Sequence, residues 1–311
     1  MIHLIFTFDD QSDLLSPDDV RQKGDILIDA MLHPDKPRPE GEWVGGEFAR
    51  QYSISSRSCF VISANNRLDR FWLRLPSTTE TFRRRILKTW IDYVESVPKE
   101  AEDRFKAHIL DLESYWTLRR RTSAVAPTMA LNELDIAIPD DVRDSAILRQ
   151  LEAAAVDIIY IANVSAVLHH SVFMILANSP QQDILSYNKE QAAGQGGHNI
   201  ITVIMKQFQV DVQQAIDKAG RMICENIEAF NTLYRELPRW VGPLDLEVQR
   251  LVDGFARWVS GSLHWSYESH RYFGTRGLEV KEARLVELMP HLNVVEVPVV
   301  SSMRIPQGMA V

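Results

Sequence analysis

The sequence predicts an all-α protein organised as one helical domain, and three observations carry that expectation. Apolar residues recur at spacings of three and four along most of the chain, the stripe by which a helix presents one face to a core. Pro238 closes one such stripe and Gly242-Pro243 opens the next, as helix stop and start signals should. Alternating apolar and polar runs are scarce, and the one β-like stretch, Val294 to Val300, lies in the tail.

Taken in order, segments 81–97, 99–118 and 145–162 carry the helical period. In 211–237 the stripe is Val212, Ile216, Ala219, Ile223, Ile227 and Phe230. In 244–264 it is Leu244, Val248, Leu251, Val252, Phe255, Trp258 and Val259. No internal repeat interrupts this texture. A chain of 311 residues suits either two domains or one all-helical domain, and the uniform texture favours one domain over 1–311, with 275–311 as a C-terminal tail.

Composition narrows the function. With 45% hydrophobic and 24% charged residues the chain can bury a full core and is not disordered. Lys+Arg 34 against Asp+Glu 42 gives a net charge of −8, which argues against nucleic acid as a partner, since that needs a basic face. Local arginine clusters still leave room for an anionic small molecule. Two cysteines, Cys59 and Cys224, exclude a disulfide framework and a cysteine zinc site. The start, MIHLIFTFDDQSD, lacks the features of a secretory signal, so a cytoplasmic protein is expected.

Two segments break the helical texture. Tyr52 to Arg70 is rich in Ser and Asn and has no helical period. Val164 to Gln182 is an apolar run joined to an already apolar helix. Between Asp157 and Asp183 no charged residue occurs, so 158–177 has the length of a bilayer span. Asn163, Ser165, His169 and His170 interrupt it and basic flanks are missing, so no membrane span is expected.

Two constellations point to chemistry. Asp9, Asp10 and Asp13 form DDQSD directly after an apolar run. On a helix, residues i and i+4 share a face, so Asp9 and Asp13 can direct carboxylates the same way. Hard oxygen ligands of this kind suit Mg²⁺ bridged to substrate phosphates; an acidic solvated terminus or a helix cap accounts for the same residues. Further on, Gln182, Ser186 and Glu190 stand at i, i+4 and i+8. Three oxygen-bearing side chains on one helical face can hold one Mg²⁺, and Lys189 adds positive charge for a phosphate.

The second constellation resembles the (N/D)Dxx(S/T)xxKE metal motif of class I terpene synthases, with Gln182 where the first ligand is normally Asn or Asp. Its partner motif, Asp9 to Asp13, stands in the right order. Leu118-Arg119-Arg120-Arg121-Thr122 is similar to the family's LRRxT segment, which implies that Arg120 senses diphosphate. Ser123 and Ala124 fall at the family's linker and effector positions, Ala124 replacing the usual glycine. Arg271-Tyr272 resembles the C-terminal Arg-Tyr pair that binds the diphosphate. HPDKPRPEGEW at 33–43 and GGHNIIT at 196–202 are similar to fungal, mushroom-type sesquiterpene synthases.

The resemblance implies a single-domain class I terpenoid synthase bundle that ionises and cyclises farnesyl diphosphate with three Mg²⁺. Asp9, Asp13, Ser186, Glu190 and Asn163, or Gln182 in its place, would be ligands. Arg120, Lys189, Arg271 and Tyr272 would neutralise the leaving diphosphate, turning displacement into ionisation. The resulting cation needs a dry, aromatic pocket, toward which Trp265 is a candidate, core packing being its alternative role. Family members have several helices before the aspartate motif, and only eight residues precede Asp9, so the chain is expected to be truncated at its N-terminus.

The two irregular segments admit a joint account. Deleting Val164–Gln182 joins Asn163 to Asp183 and completes the metal motif; deleting Tyr52–Arg70 restores continuous helical texture. Each is 19 residues, or 57 nucleotides, and each carries Ala-Asn near its end, Ala64-Asn65 and Ala177-Asn178. A fungal splice branch point, GCTAAC, encodes Ala-Asn, so both are read as retained introns translated in frame, with lineage-specific loops as the alternative. A Gln in the first ligand position makes weak activity the expectation, and an inactive remnant that at most binds diphosphates is the competing function.

Overall fold

A computed structural model of the chain describes residues 2–57, 79–161, 182–192, 194, 196–290 and 302–304. Among these, thirteen α-helices follow in order: α1 Ile2–Ser12, α2 Pro17–Leu32, α3 Val44–Arg57, α4 Glu80–Phe105, α5 Leu112–Thr122, α6 Val125–Met129, α7 Asp140–Arg143, α8 Ala146–Ile161, α9 Gln182–Ala192, α10 Ile200–Phe208, α11 Val212–Arg235, α12 Pro243–Glu268 and α13 Gly277–Ala283. Two short strands, β1 Leu285–Glu287 and β2 Ser302–Arg304, pair antiparallel with Val286 opposite Met303. The expected all-α architecture is therefore present, with this one small hairpin-like pair beside it. The β-like stretch 294–300 lies outside the described residues, as do 58–70 and 164–181 of the two irregular segments. No helix among the described residues is long and apolar enough to cross a membrane.

The chain gathers into two compact units, Met1–Lys106 with Arg121–Asp135, and Ala107–Arg120 with Ile136–Val311. The first is organised around α2, which packs on α3 and α4. Its start follows from local chemistry: the Ser16 hydroxyl accepts the Asp19 N–H, and Pro17 occupies the first turn, where its missing N–H is harmless. Phe8, Leu27, Trp90 and Tyr93 fill the centre, with Tyr93 edge-on to both Phe8 and Trp90 at 6.1 Å. The segment 33–43 is folded back by Arg38, whose guanidinium meets both oxygens of Glu42 at 2.7 Å and Asp29 of α2 at 2.5 Å.

Helix α4 departs from the sequence expectation, which placed a boundary at Pro98. It runs unbroken through that proline to Phe105. Pro98 removes a single hydrogen bond, the one that the Val94 carbonyl would accept. Gly24 of α2 lies close to this point, since a Cβ built on it would sit 3.1 Å from the Val94 side chain. The real interruption comes at 106–111, where Ala107 turns left-handed at φ 50°. Asp111 then starts α5 by accepting the Ser114 N–H at 2.9 Å. Likewise α3 extends to Arg57, so the first residues of the segment read as aperiodic are helical.

The second unit is built on α8, which packs against α11 and α12, with α10 on α11. The predicted stripe of α11 is buried in full. In α12, Val248, Leu251, Val252, Phe255 and Val259 are buried, whereas Leu244 and Trp258 are partly so. Asp211 and Gln214 close a reciprocal capping box at the start of α11. The tail is more than an appendage: Asn188 of α9 donates to the Glu287 carbonyl at 3.0 Å and accepts the Met289 N–H at 2.6 Å. Gln191 adds a bond to the Met289 carbonyl at 2.8 Å. One face of α9 thus holds the chain that follows α13.

Candidate functional site

Within the first unit, Asp9 belongs to α1 and Asp13 lies just past its end at Ser12. The one-turn relation survives because the Asp13 N–H still donates to the Asp9 carbonyl at 3.2 Å. Asp9 is half-buried and Asp13 exposed. A partner that sequence reading missed stands beside them: Arg104 of α4 pairs with the Asp13 carboxylate at 3.3 Å and also donates to the Ser12 carbonyl. It neutralises part of the charge that a cation would use.

Within the second unit, Ser186 and Glu190 lie one turn apart on α9. The Asn199 amide nitrogen donates to Glu190 Oε2 at 2.9 Å and contacts Ser186 Oγ at 3.4 Å. Both oxygens therefore meet the same amide nitrogen, as side chains one turn apart can. The donors are oxygen only, the hard set that suits Mg²⁺. Among the described residues no three His, Cys, Asp or Glu side chains form a metal group by themselves. Asn163 lies outside the described residues; Gln182 begins α9 and Lys189 lies within it, both with side chains outside the description. The opposite side of α9 is engaged by Tyr187, buried and directed at the Met205 sulfur, and by the tail contacts of Asn188. Burial pushes the Tyr187 hydroxyl above its ordinary pKa, leaving it a neutral group.

Arg120 is placed by α5. Trp116, one turn earlier, meets Tyr160 of α8 edge-on at 5.9 Å, and Arg120 meets Asp157 on the same helix. Hydrogen bonds from Arg120 to that carboxylate hold the guanidinium above its ordinary pKa, so it stays cationic at any working pH. Arg271 and Tyr272 follow α12 in a turn made by His270 at φ 61°. Tyr272 is buried and meets Trp265 edge-on at 6.2 Å. Trp265 keeps 37% exposure, more than a core residue would. Ala124, the residue at the effector position, adopts φ 57° and ψ 11°, a conformation that glycine takes without strain.

The all-α frame that carries these residues is the class I terpenoid synthase fold. Solved neighbours include an a-eudesmol synthase, with TM-score 0.64 and 20% identity over 86% of this chain and 77% of that one. A second is the germacradien-4-ol synthase of Streptomyces citricolor, with TM-score 0.61 and 22% identity over 85% and 75%. The chain belongs to the terpene synthase family: the family model described as terpene synthase family 2, C-terminal metal binding, matches residues 1–229. Relatives include the Delta(6)-protoilludene synthase of Armillaria ostoyae, 34% identical over 94% of this chain and 75% of that protein. Another Delta(6)-protoilludene synthase, from Stereum hirsutum, is 35% identical over 93% and 69%. With the family comes its enzyme class, that of carbon–oxygen lyases acting on prenyl diphosphates, and its use of a divalent metal.

Proposed function

We propose that the chain is a Mg²⁺-dependent sesquiterpene synthase that ionises and cyclises farnesyl diphosphate with release of diphosphate. The observation that carries this reading is that Ser186 and Glu190 stand one turn apart on α9 with Ser186 Oγ and Glu190 Oε2 meeting the same Asn199 amide, in a family whose model is described by metal binding. Asp9 and Asp13 would be one set of metal ligands, and Ser186, Glu190 and Asn163 (or Gln182) the other. Bound there, Mg²⁺ supplies the charge that makes diphosphate a leaving group. Arg120, Lys189, Arg271 and Tyr272 would bind and orient the diphosphate oxygens, which places fixed positive charge where negative charge develops. Three Mg²⁺ are part of the same reading, as is farnesyl diphosphate rather than a shorter or longer prenyl chain.

Two observations favour a weaker version, in which the chain binds diphosphate with little turnover. Arg104 already pairs with Asp13, and Gln182 stands where the motif has Asn or Asp. The test is incubation of the full chain with farnesyl diphosphate and Mg²⁺, with gas chromatography of the extract. Sesquiterpene hydrocarbons or alcohols that vanish on chelation are the expected result. Turnover unchanged in excess chelator overturns the proposal. Diphosphate binding by calorimetry without product supports the weaker version.

A further inference from the structure

We propose that Asn199 is a positioning residue for the metal half-site of α9, holding the Ser186 and Glu190 side chains in place with a neutral amide donor. The inference rests on the metal-dependent reading above.

Asn199 is fully buried, and both ends of its amide are engaged. Its Oδ1 accepts the Ile201 N–H at 2.9 Å, capping α10. That bond settles the amide orientation, because a flipped side chain would set its NH₂ against the Ile201 N–H. The nitrogen then has two hydrogens and two acceptors one turn apart on α9, Glu190 Oε2 and Ser186 Oγ. The backbone of Asn199 is tied as well, its N–H donating to the Gly196 carbonyl at 3.2 Å. The side chain is thus a fixed peg between the first turn of α10 and the ligand face of α9.

A long Glu side chain loses rotamer freedom when it binds a cation. Asn199 removes part of that freedom beforehand, as preorganisation requires. It does so with a neutral donor. A lysine or arginine at the same place would fix the carboxylate but cancel the charge that attracts the metal. Glu190 Oε2 is the oxygen held by the amide. Loss of a partner of this kind lowers metal affinity by about 10–100-fold.

The test measures Mn²⁺ binding to the full chain in the presence of inorganic diphosphate, by the loss of the free-ion paramagnetic resonance signal. Asn199→Ser keeps a side-chain oxygen suited to the helix cap but cannot reach α9; Asn199→Thr does the same with more of the volume filled. Asp211→Ala, which removes the cap of α11 away from these residues, controls for loss of a cap alone. Glu190→Gln reports whether the measured site is this one. The expected result is binding weakened about 10–100-fold in both Asn199 variants and within about twofold of wild type in Asp211→Ala. Wild-type affinity in either folded Asn199 variant, with Glu190→Gln impaired, overturns the role of Asn199 and leaves the metal site standing. Equal Mn²⁺ binding by wild type and Glu190→Gln, or none by either, overturns the metal site itself.

Discussion

Arg120 donates from Nε and Nη2 to the two oxygens of Asp157, at 2.7 and 2.6 Å, in a parallel fork. The two partners sit in unequal surroundings, since the Asp157 side chain is 3% exposed and that of Arg120 46%. Removing the arginine strands a buried carboxylate, whereas neutralising the aspartate leaves an arginine that water can solvate. Arg120→Ala should therefore destabilise the fold by about 3 kcal/mol, and Asp157→Asn by about 1 kcal/mol. Urea unfolding of the two variants checks the order; the reverse order would mean that the fork is not formed.

Ala124 and Ala107 share a left-handed backbone, at φ 57° and φ 50°, but differ in burial. Relief of that backbone is worth about 1 kcal/mol when glycine replaces alanine. At Ala124, which belongs to the buried cluster of the first unit, the loss of a buried methyl returns about 0.8 kcal/mol. Ala107→Gly should raise the thermal midpoint, and Ala124→Gly should leave it nearly unchanged. A large fall for Ala124→Gly would show that its methyl matters more than its backbone.

The Arg38 guanidinium beside Asp29 pulls that carboxyl from 3.8 to about 2, against a smaller opposing effect of burial, with Lys36 and His33 adding to the pull. A carboxyl depressed in the folded state contributes stability above its unfolded pKa, and that contribution is lost as pH falls. The difference in thermal midpoint between wild type and Asp29→Asn should be constant above about pH 4 and shrink as pH approaches 2. A difference that persists unchanged at pH 2 would rule out the ion pair as its source.

Gly277 marks the neck of the turn that carries Arg271 and Tyr272. A Cβ built on it would lie 1.8 Å from the Tyr267 carbonyl oxygen, so backbone has to move. Gly277→Ala should destabilise by about 2–3 kcal/mol and change tryptophan fluorescence through the Trp265–Tyr272 contact. An unchanged spectrum and midpoint would show that the neck is open.

Excision of the two 19-residue segments bears on the metal motif. Removal of 164–182 returns Asn163 to the first ligand position, and the strict geometry of Mg²⁺ favours it over the longer Gln182, so product formation should rise about tenfold or more. Gas chromatography of the shortened and unmodified chains side by side decides this. Equal yields would make Gln182 a true ligand substitute and the segments ordinary loops.

The local geometry of the candidate site was legible because it is written in short spacings. The one-turn spacings of Asp9 with Asp13 and of Ser186 with Glu190 follow from helical geometry alone, and the structure keeps both. Asn199 could have been noticed as a cap, since an Asn directly before Ile-Ile opens α10, but nothing local says that its other end reaches α9. The boundary at Pro98 was misplaced for a related reason. Proline disfavours a helix interior, yet α4 is secured on both sides of it by buried Trp90, Tyr93, Val94 and Ala101, a term that no local rule contains.

The amino-acid order by itself determined where most helices lie, which face each of them buries, and which oxygens stand one helical turn apart. These depend on neighbours within one or two turns. Only the tertiary structure decided the partners. Arg120 meets a carboxylate 37 positions away, Asp13 an arginine 91 positions away, and Asn188 a carbonyl 99 positions away. Such pairs form because packing brings helices within hydrogen-bonding range after their apolar stripes are buried, and burial then makes an unmet polar group expensive. Periodicity specifies the stripes, but the pairing of polar groups is settled by which stripes lie against one another.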